Sequence, residues 1–130
     1  MNHCLSSRLS ACPIYDNGAS LGYQLQEERI LKMFQDQRMF TAFTNRSYSL
    51  IGLPDKKKPK YRELLNFIYQ LYPQETKEMV ERISQINEKQ ILVILSKISE
   101  EAMSKVYKEW VLKLLQYRRE WLINWYTEVK

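Results

Sequence analysis

Apolar residues recur at steps of three and four along most of the chain after residue 22, and this spacing predicts helices. The clearest predicted helix covers residues 61–72. Pro73 ends that helix and also suits the first turn of the next one, which we expect to reach Ile86. The apolar positions of the first of these two helices are Leu64, Leu65, Ile68 and Leu71.

A third helix is predicted to begin after Asn87, a residue type that favours helix N-caps. Gln90 stands three residues later, as a capping box requires. The helix is apolar on most sides, which predicts the central buried helix of the domain. Its apolar residues are Ile91, Leu92, Ile94, Leu95 and Ile98.

The last predicted helix starts after Ser99 and runs for about 25 residues, beyond the usual length in globular proteins. Its apolar and aromatic face comprises Met103, Val106, Tyr107, Trp110, Leu114, Tyr117, Trp121 and Trp125. We expect one core in which Leu64 and Ile68 pack on residues of the last two helices. The other members of this expected core are Ile91, Leu92, Leu95, Ile98, Val106 and Trp110.

The first part of the chain has a weaker helical pattern. Residues 23–40 predict a weakly amphipathic helix, and residues 41–59 predict a loop. Residues 1–22 predict a short irregular segment, with a strand up to Tyr15 that ends in the turn Asp16-Asn17-Gly18. The fold class is therefore mainly α, with an N-terminal segment of 22 residues and a helical domain over residues 23–130.

Composition narrows the class of protein. A chain of 130 residues is one domain, and 45% apolar with 27% charged residues is ordinary for a globular protein. The net charge of +5 comes from lysines and arginines mixed with acids along the whole chain, which is typical of solvated helix faces. Two cysteines make no disulfide framework, and no apolar run approaches a membrane span. We expect a cytoplasmic protein without a membrane partner.

Asp16 is the residue that suggests chemistry. A carboxylate held at a glycine turn after a short strand suits Mg²⁺, which prefers oxygen ligands. A single Asp-Asn-Gly is more often a plain turn. The longer segment Cys12–Gly22 favours a metal-binding role for Asp16 over a plain turn. Its sequence, C-P-I-Y-D-N-G-A-S-L-G, resembles the segment that carries the magnesium-binding Asp of HipA-like serine/threonine kinases. The matching residues are Pro13, Tyr15, Asp16, Gly18, Ser20 and Leu21.

The resemblance continues more loosely through the helices, including the basic stretch Lys56–Lys60 and the helix end at Tyr72-Pro73. It implies a helical C-terminal kinase lobe, ATP and Mg²⁺ as cofactors, and a toxin–antitoxin setting with a DNA-binding partner. Of the family's functional residues, only the magnesium ligand carries over, onto Asp16.

Other catalytic parts of such a kinase have no counterpart in this sequence. Fifteen residues precede Asp16, none of them acidic, and no G-x-G-x-x-G occurs. A lone carboxylate holds Mg²⁺ poorly. We therefore expect a lobe truncated at its N-terminus that does not transfer phosphate by itself, and a missing N-terminal kinase part or a second copy as its partner. A truncated reading frame, a split kinase half and a degraded relative remain open, and the coding sequence upstream of Met1 would distinguish them.

The alternative function is a non-enzymatic helical protein-interaction module, supported by the aromatic face of the last helix. A basic nucleic-acid binder rests on charge alone, and we expect no direct contact with nucleic acid. Three further patterns favour a structural role over a functional one. The spacing of His3, Cys4 and Cys12 matches no zinc site, and Lys56–Lys60 is typical of a solvated loop. Aromatic residues at helical spacing usually belong to a core or an interface. Such aromatic residues can also form a stacking platform for nucleic acid. Those of the last helix are Tyr107, Trp110, Tyr117, Trp121, Trp125 and Tyr126.

Overall fold

The computed structural model describes residues 21–22, 24–46, 48–49 and 51–130, and the fold over these ranges is mainly α. Six helices follow one another in the described ranges, which agrees with the fold class predicted from the sequence. Their bounds are α1 Glu27–Gln35, α2 Gln37–Asn45, α3 Tyr61–Leu71, α4 Pro73–Ser84, α5 Glu88–Ser96 and α6 Lys105–Val129. None of these helices has the length and apolar character that crossing a membrane requires.

The predictions for α3, α4 and α5 are confirmed to within two residues, because each helix has a clear end signal. Pro73 occupies the first turn of α4. Asn87 caps α5 through its side-chain oxygen, which accepts a hydrogen bond from the Gln90 backbone N–H at 2.9 Å. The Gln90 side chain accepts the Asn87 backbone N–H in return, also at 2.9 Å, which completes the capping box.

The prediction of one helix over residues 23–40 and a loop from 41 onward is wrong. The chain forms two helices that meet at Asp36, whose backbone is extended. The Asp36 carboxylate accepts backbone hydrogen bonds from Arg38 and Met39 at 3.0 and 3.4 Å and so caps α2. With this new start, the helical region extends to Asn45.

The start of α6 also differs from the prediction. Ser104, not Ser99, is the N-cap, and its hydroxyl accepts a hydrogen bond from the Tyr107 backbone N–H at 3.4 Å. The same hydroxyl donates to the Glu27 carboxylate at 2.6 Å, which ties the start of α6 to the first turn of α1. Ser99 instead accepts the backbone N–H of Met103 at 3.0 Å in a turn before the helix.

Helix α6 is the central element of the fold, since α1, α4 and α5 all pack against it. Helices α1 and α2 contact each other, as do α3 and α4. The main core cluster lies where α1, α2 and α5 meet the N-terminal half of α6. Its buried residues are Ile30, Met33, Phe40, Ile91, Leu95, Trp110, Val111 and Leu114.

A second buried region lies on the C-terminal half of α6. Trp125 is fully buried there, and its indole N–H donates to the Asn66 side-chain oxygen of α3 at 2.8 Å. The Tyr69 ring of α3 packs edge-on against the Trp125 ring at 6.3 Å. Arg62 of α3 forms an ion pair with Glu128 at 2.7 Å, near the end of α6. The two ends of α6 therefore bind different helices.

The expected single core is correct only in part. Ile91, Leu95 and Trp110 are buried together, and Ile98 and Val106 pack partly buried against them. Leu92, however, is 45% exposed, and Ile68 of α3 is 36% exposed and lies outside the main cluster. Because α3 packs near the C-terminal end of α6, its apolar face does not reach the residues of α5.

Candidate functional site

Helix α5 buries only a narrow side and leaves the rest of its apolar surface open. Ile91 and Leu95 are buried against α6, one turn apart. The three residues between them are exposed to 45% at Leu92, 54% at Val93 and 63% at Ile94. Consecutive residues are 100° apart around a helix, so these three side chains span roughly 200° of its circumference. The prediction that α5 is the central buried helix is therefore wrong.

An apolar groove runs between α5 and α6 beside this exposed surface. It encloses about 250 Å³. Leu92 and Leu95 line it from α5, and Leu112 lines it from α6. The polar rim comes mostly from the first two turns of α6, through Lys105, Lys108 and Glu109, with Ser96 completing the lining. We call the exposed residues Leu92, Val93 and Ile94 together with this groove the α5 surface.

Lysines outnumber acids around the α5 surface, where Glu88 is the exposed acid of α5 itself. Lys89 of α5 and Lys97, which caps the C-terminal end of α5, are exposed one turn before and one turn after Val93, and Lys105 is exposed at the start of α6. None of them belongs to either of the two ion pairs found among the described residues. Lys108 donates to the backbone oxygen of Ile98, which holds its ammonium group at the end of the groove. Glu109 is the one acid of the groove lining.

An exposed apolar surface of this kind is unusual on a protein that acts alone. Single exposed apolar residues are common, but several contiguous ones on a polar-rimmed helix mark a binding surface. Only α6 makes a substantial contact with α5 in the described part of the chain. A helix laid into the groove would cover the exposed side of α5.

The residues that the sequence suggested as metal ligands, Asp16, His3, Cys4 and Cys12, all lie outside the described residues. Among the residues that are described, no three His, Cys, Asp or Glu side chains come together in a way that would hold a metal ion. The proposed magnesium role of Asp16 remains a prediction.

The last two residues of the Cys12–Gly22 segment are described, and they attach to the main core. The Trp110 indole N–H donates to the Leu21 backbone oxygen at 3.1 Å. Gly22 has a φ of +75°, and a Cβ there would lie 2.8 Å from Leu25 Cδ1 and 3.0 Å from Trp110 Nε1. Glycine is thus required both by backbone conformation and by the close approach of the indole. The segment that resembles the kinase motif therefore ends on α6.

The aromatic residues of α6 do not form an open stacking platform. Trp110 and Trp125 are fully buried, as the core interpretation predicts. Trp110 packs edge-on with Phe40 at 5.6 Å, and Trp121 is partly covered by the Arg62 guanidinium at 5.6 Å from its ring. These rings pack between the helices, as core residues do.

The α5 surface is the functional candidate that sequence reasoning missed. The sequence shows that this short helix is apolar on nearly every side, but it does not show which elements cover it. Among the described residues, only α6 covers α5 substantially.

Comparison with known proteins adds no relative: no protein-family model matches this chain, and no curated protein or solved structure shows significant similarity to it.

Proposed function

We propose that this chain acts as a helical protein-interaction module whose α5 surface binds an amphipathic helix of another polypeptide. The observation that carries the proposal is the exposure of Leu92, Val93 and Ile94 beside a groove with an apolar floor. Helix-in-groove binding places apolar side chains, spaced three or four residues apart, into such a groove. Helix α5 has nine residues, about 13 Å at 1.5 Å per residue, so two to three turns of a partner helix would cover it.

The charge of the rim indicates the chemistry of the partner. Lys89, Lys97 and Lys105 border the apolar residues without a carboxylate partner, and they outnumber the nearby acids Glu88 and Glu109. A helix with acidic residues on both sides of its apolar face would place those acids beside the lysines. Each rim pair contributes only about 0.2–1 kcal/mol, so charge selects the partner while apolar burial supplies most of the affinity.

Calorimetric titration with a designed peptide tests this proposal. The peptide is a helix of about three turns with leucines on one face and glutamates beside them, and its counterpart carries lysines at the glutamate positions. We expect the acidic peptide to bind and Leu92→Gln to weaken binding at least tenfold, because burying one leucine contributes about 1.5–3 kcal/mol. Lys105→Glu should lower the affinity for the acidic peptide several-fold and raise the affinity for the basic peptide.

Two matched variants on α4 serve as controls. Met79 is 56% exposed and Lys77 is exposed, so Met79→Gln and Lys77→Glu repeat the chemical changes away from the α5 surface. Both should leave peptide binding unchanged. Equal losses in control and test variants would contradict the proposal. Light scattering could also contradict the proposal, by showing a dimer that the Leu92→Gln change dissociates. The α5 surface would then bind a second copy of this chain.

A second candidate function is the helical part of a HipA-like kinase. The Cys12–Gly22 resemblance favours it. In this interpretation Asp16 contributes a Mg²⁺ ligand to an ATP site completed by catalytic elements that these 130 residues lack. The α5 surface would still serve to bind another polypeptide, so the two candidates differ in their chemistry and not in the need for a partner.

For this second candidate, we expect the purified chain neither to bind ATP–Mg²⁺ tightly nor to phosphorylate itself. A single carboxylate does not displace enough water from Mg²⁺ to hold the nucleotide. Titration calorimetry with ATP and Mg²⁺ measures this. Micromolar affinity that disappears in Asp16→Ala would show that the 130 residues already contain a working nucleotide site.

A further inference from the structure

A second surface lies at the opposite end of α6, in the loop that precedes α3. We call residues 51–60 the lysine loop, and its backbone is held at both ends. The Ser49 N–H donates to the Pro59 oxygen at 2.9 Å, and Tyr48 forms a bridge with Lys60. Leu53 and Lys56 exchange two backbone hydrogen bonds of 2.7 and 3.2 Å. Pro59 is fully buried in the middle of the run of lysines, so the lysines project from a defined backbone.

Most of the positive charge of this loop lacks a counter-charge. The Lys56 ammonium group donates to both carboxylate oxygens of Glu63 at 2.9 Å. This hydrogen bond lowers the pKa of the Glu63 carboxyl below its ordinary value, and the hydrogen bond from the Lys60 backbone N–H lowers it further. Lys57, Lys58 and Lys60 are exposed and belong to neither ion pair of the described residues. Asp55 is the only acid within the loop sequence.

Two exposed tyrosines flank the lysine loop, and one of them contacts its ammonium groups. The Tyr48 ring is 48% exposed and has the Lys58 and Lys60 ammonium nitrogens 5.8 and 5.5 Å from its centroid. Tyr61 follows directly and is 46% exposed. Cations beside accessible aromatic rings are the combination with which proteins bind single-stranded nucleic acid, since phosphates pair with the cations and unpaired bases stack on the rings.

We propose that the lysine loop, with Tyr48 and Tyr61, binds single-stranded nucleic acid through phosphate contacts of Lys57, Lys58 and Lys60. This reverses the expectation drawn from charge distribution along the sequence. The reason is that the fold places Lys58 and Lys60 against the half-exposed ring of Tyr48, a contact that the linear sequence does not show. The rings favour unpaired bases over a duplex, whose bases stack on one another. The binding is independent of sequence, because the loop offers no group that reads base edges from a groove.

Fluorescence anisotropy with a labelled oligothymidylate tests the proposal. Three phosphate contacts predict a log–log salt slope of about −2, which is roughly a 20-fold loss of affinity between about 50 and about 200 mM salt. The triple change Lys57→Gln, Lys58→Gln and Lys60→Gln should reduce affinity at low salt at least tenfold and bring the slope close to zero. Tyr48→Ala should weaken binding about fivefold or more while leaving the slope unchanged.

The matched control changes three exposed basic residues elsewhere to glutamine, namely Lys32, Lys77 and Arg82. It removes the same charge and should keep the slope and nearly all the affinity. The proposal is overturned by no binding at low salt, by equal losses in both triple variants, or by an unchanged affinity in Tyr48→Ala. The proposal is also overturned if the chain does not bind the oligonucleotide but binds anionic lipid vesicles or a polyglutamate peptide through the same lysines. Circular dichroism of each variant confirms that the helices are intact.

Discussion

Replacing Trp110 with alanine is expected to lower the free energy of unfolding by about 3–5 kcal/mol, the range for a large aromatic residue removed from a core. Trp110 is fully buried in the main cluster. Its ring packs edge-on against Phe40 at 5.6 Å and against Phe43 at 5.5 Å. The change also removes the donor to Leu21, and it opens a cavity where α1, α2 and α6 meet. A domain stabilised by about 5–15 kcal/mol would lose a large part of its stability.

Urea unfolding followed by circular dichroism measures this loss, and Trp121 on the same helix provides the comparison. Trp121 is only partly buried, so Trp121→Ala should cost less than half as much as Trp110→Ala. Trp110→Phe should fall between the two, because it keeps the ring contacts but removes the hydrogen bond to Leu21. Equal costs for the two alanine variants would show that the helix register of α6 is wrong.

Trp125→Ala is expected to have a similar cost, about 3–5 kcal/mol, at the other end of α6. Trp125 is fully buried, and its loss leaves the Asn66 side-chain oxygen of α3 without its donor. Trp125→Phe should cost less, about 1–3 kcal/mol, mainly through that unpaired oxygen. When Asn66→Ala is already present, Trp125→Phe should lower the free energy of unfolding by less, because no unpaired Asn66 oxygen is left.

The two tryptophans also test whether the ends of α6 are separate packing regions. They are 15 residues apart, about 22 Å along the helix, and contact different helices. Their destabilising effects should therefore add in the same urea experiment. A coupling energy above about 1 kcal/mol between Trp110→Phe and Trp125→Phe would contradict two separate regions. Trp125→Ala without a measurable cost would contradict the packing of α3 against α6.

Sequence patterns predicted the helices well where a residue marks each end. Pro73 and the Asn87–Gln90 capping box determine their helix ends locally, so no knowledge of the fold was needed. Asp36 is an equally local N-cap, but the apolar spacing runs through it and hides the break. The start of α6 is different, because Ser104 bonds Glu27 across 77 positions of sequence. Such a contact depends on the finished fold.

Burial of α5 could not be predicted from its residues, because periodicity shows which side chains are apolar and not what covers them. The run Ile91–Leu95 would suit a helix surrounded by others. Here α3 packs at the far end of α6, so no second helix covers α5 substantially. The same argument applies to the lysine loop, since the contact of Lys58 and Lys60 with Tyr48 depends on a bridge between distant residues.

The resemblance of Cys12–Gly22 to a kinase motif stands as a proposal beside these structural results. The described residues show where the segment ends, at the Leu21–Trp110 hydrogen bond, and the position of Asp16 lies outside them. Binding through the α5 surface does not depend on the kinase interpretation, and each has its own experiment.

Chemical-shift mapping of the ¹⁵N-labelled chain with the acidic amphipathic peptide locates the binding surface. If the α5 surface is the binding site, the largest shifts will fall on α5 and on the groove-lining residues of α6, including Lys105, Glu109 and Leu112. Residues of α3, which pack at the other end of α6, should not move. Shifts concentrated on α3 and α4, or no shifts at saturating peptide, would contradict the proposed function.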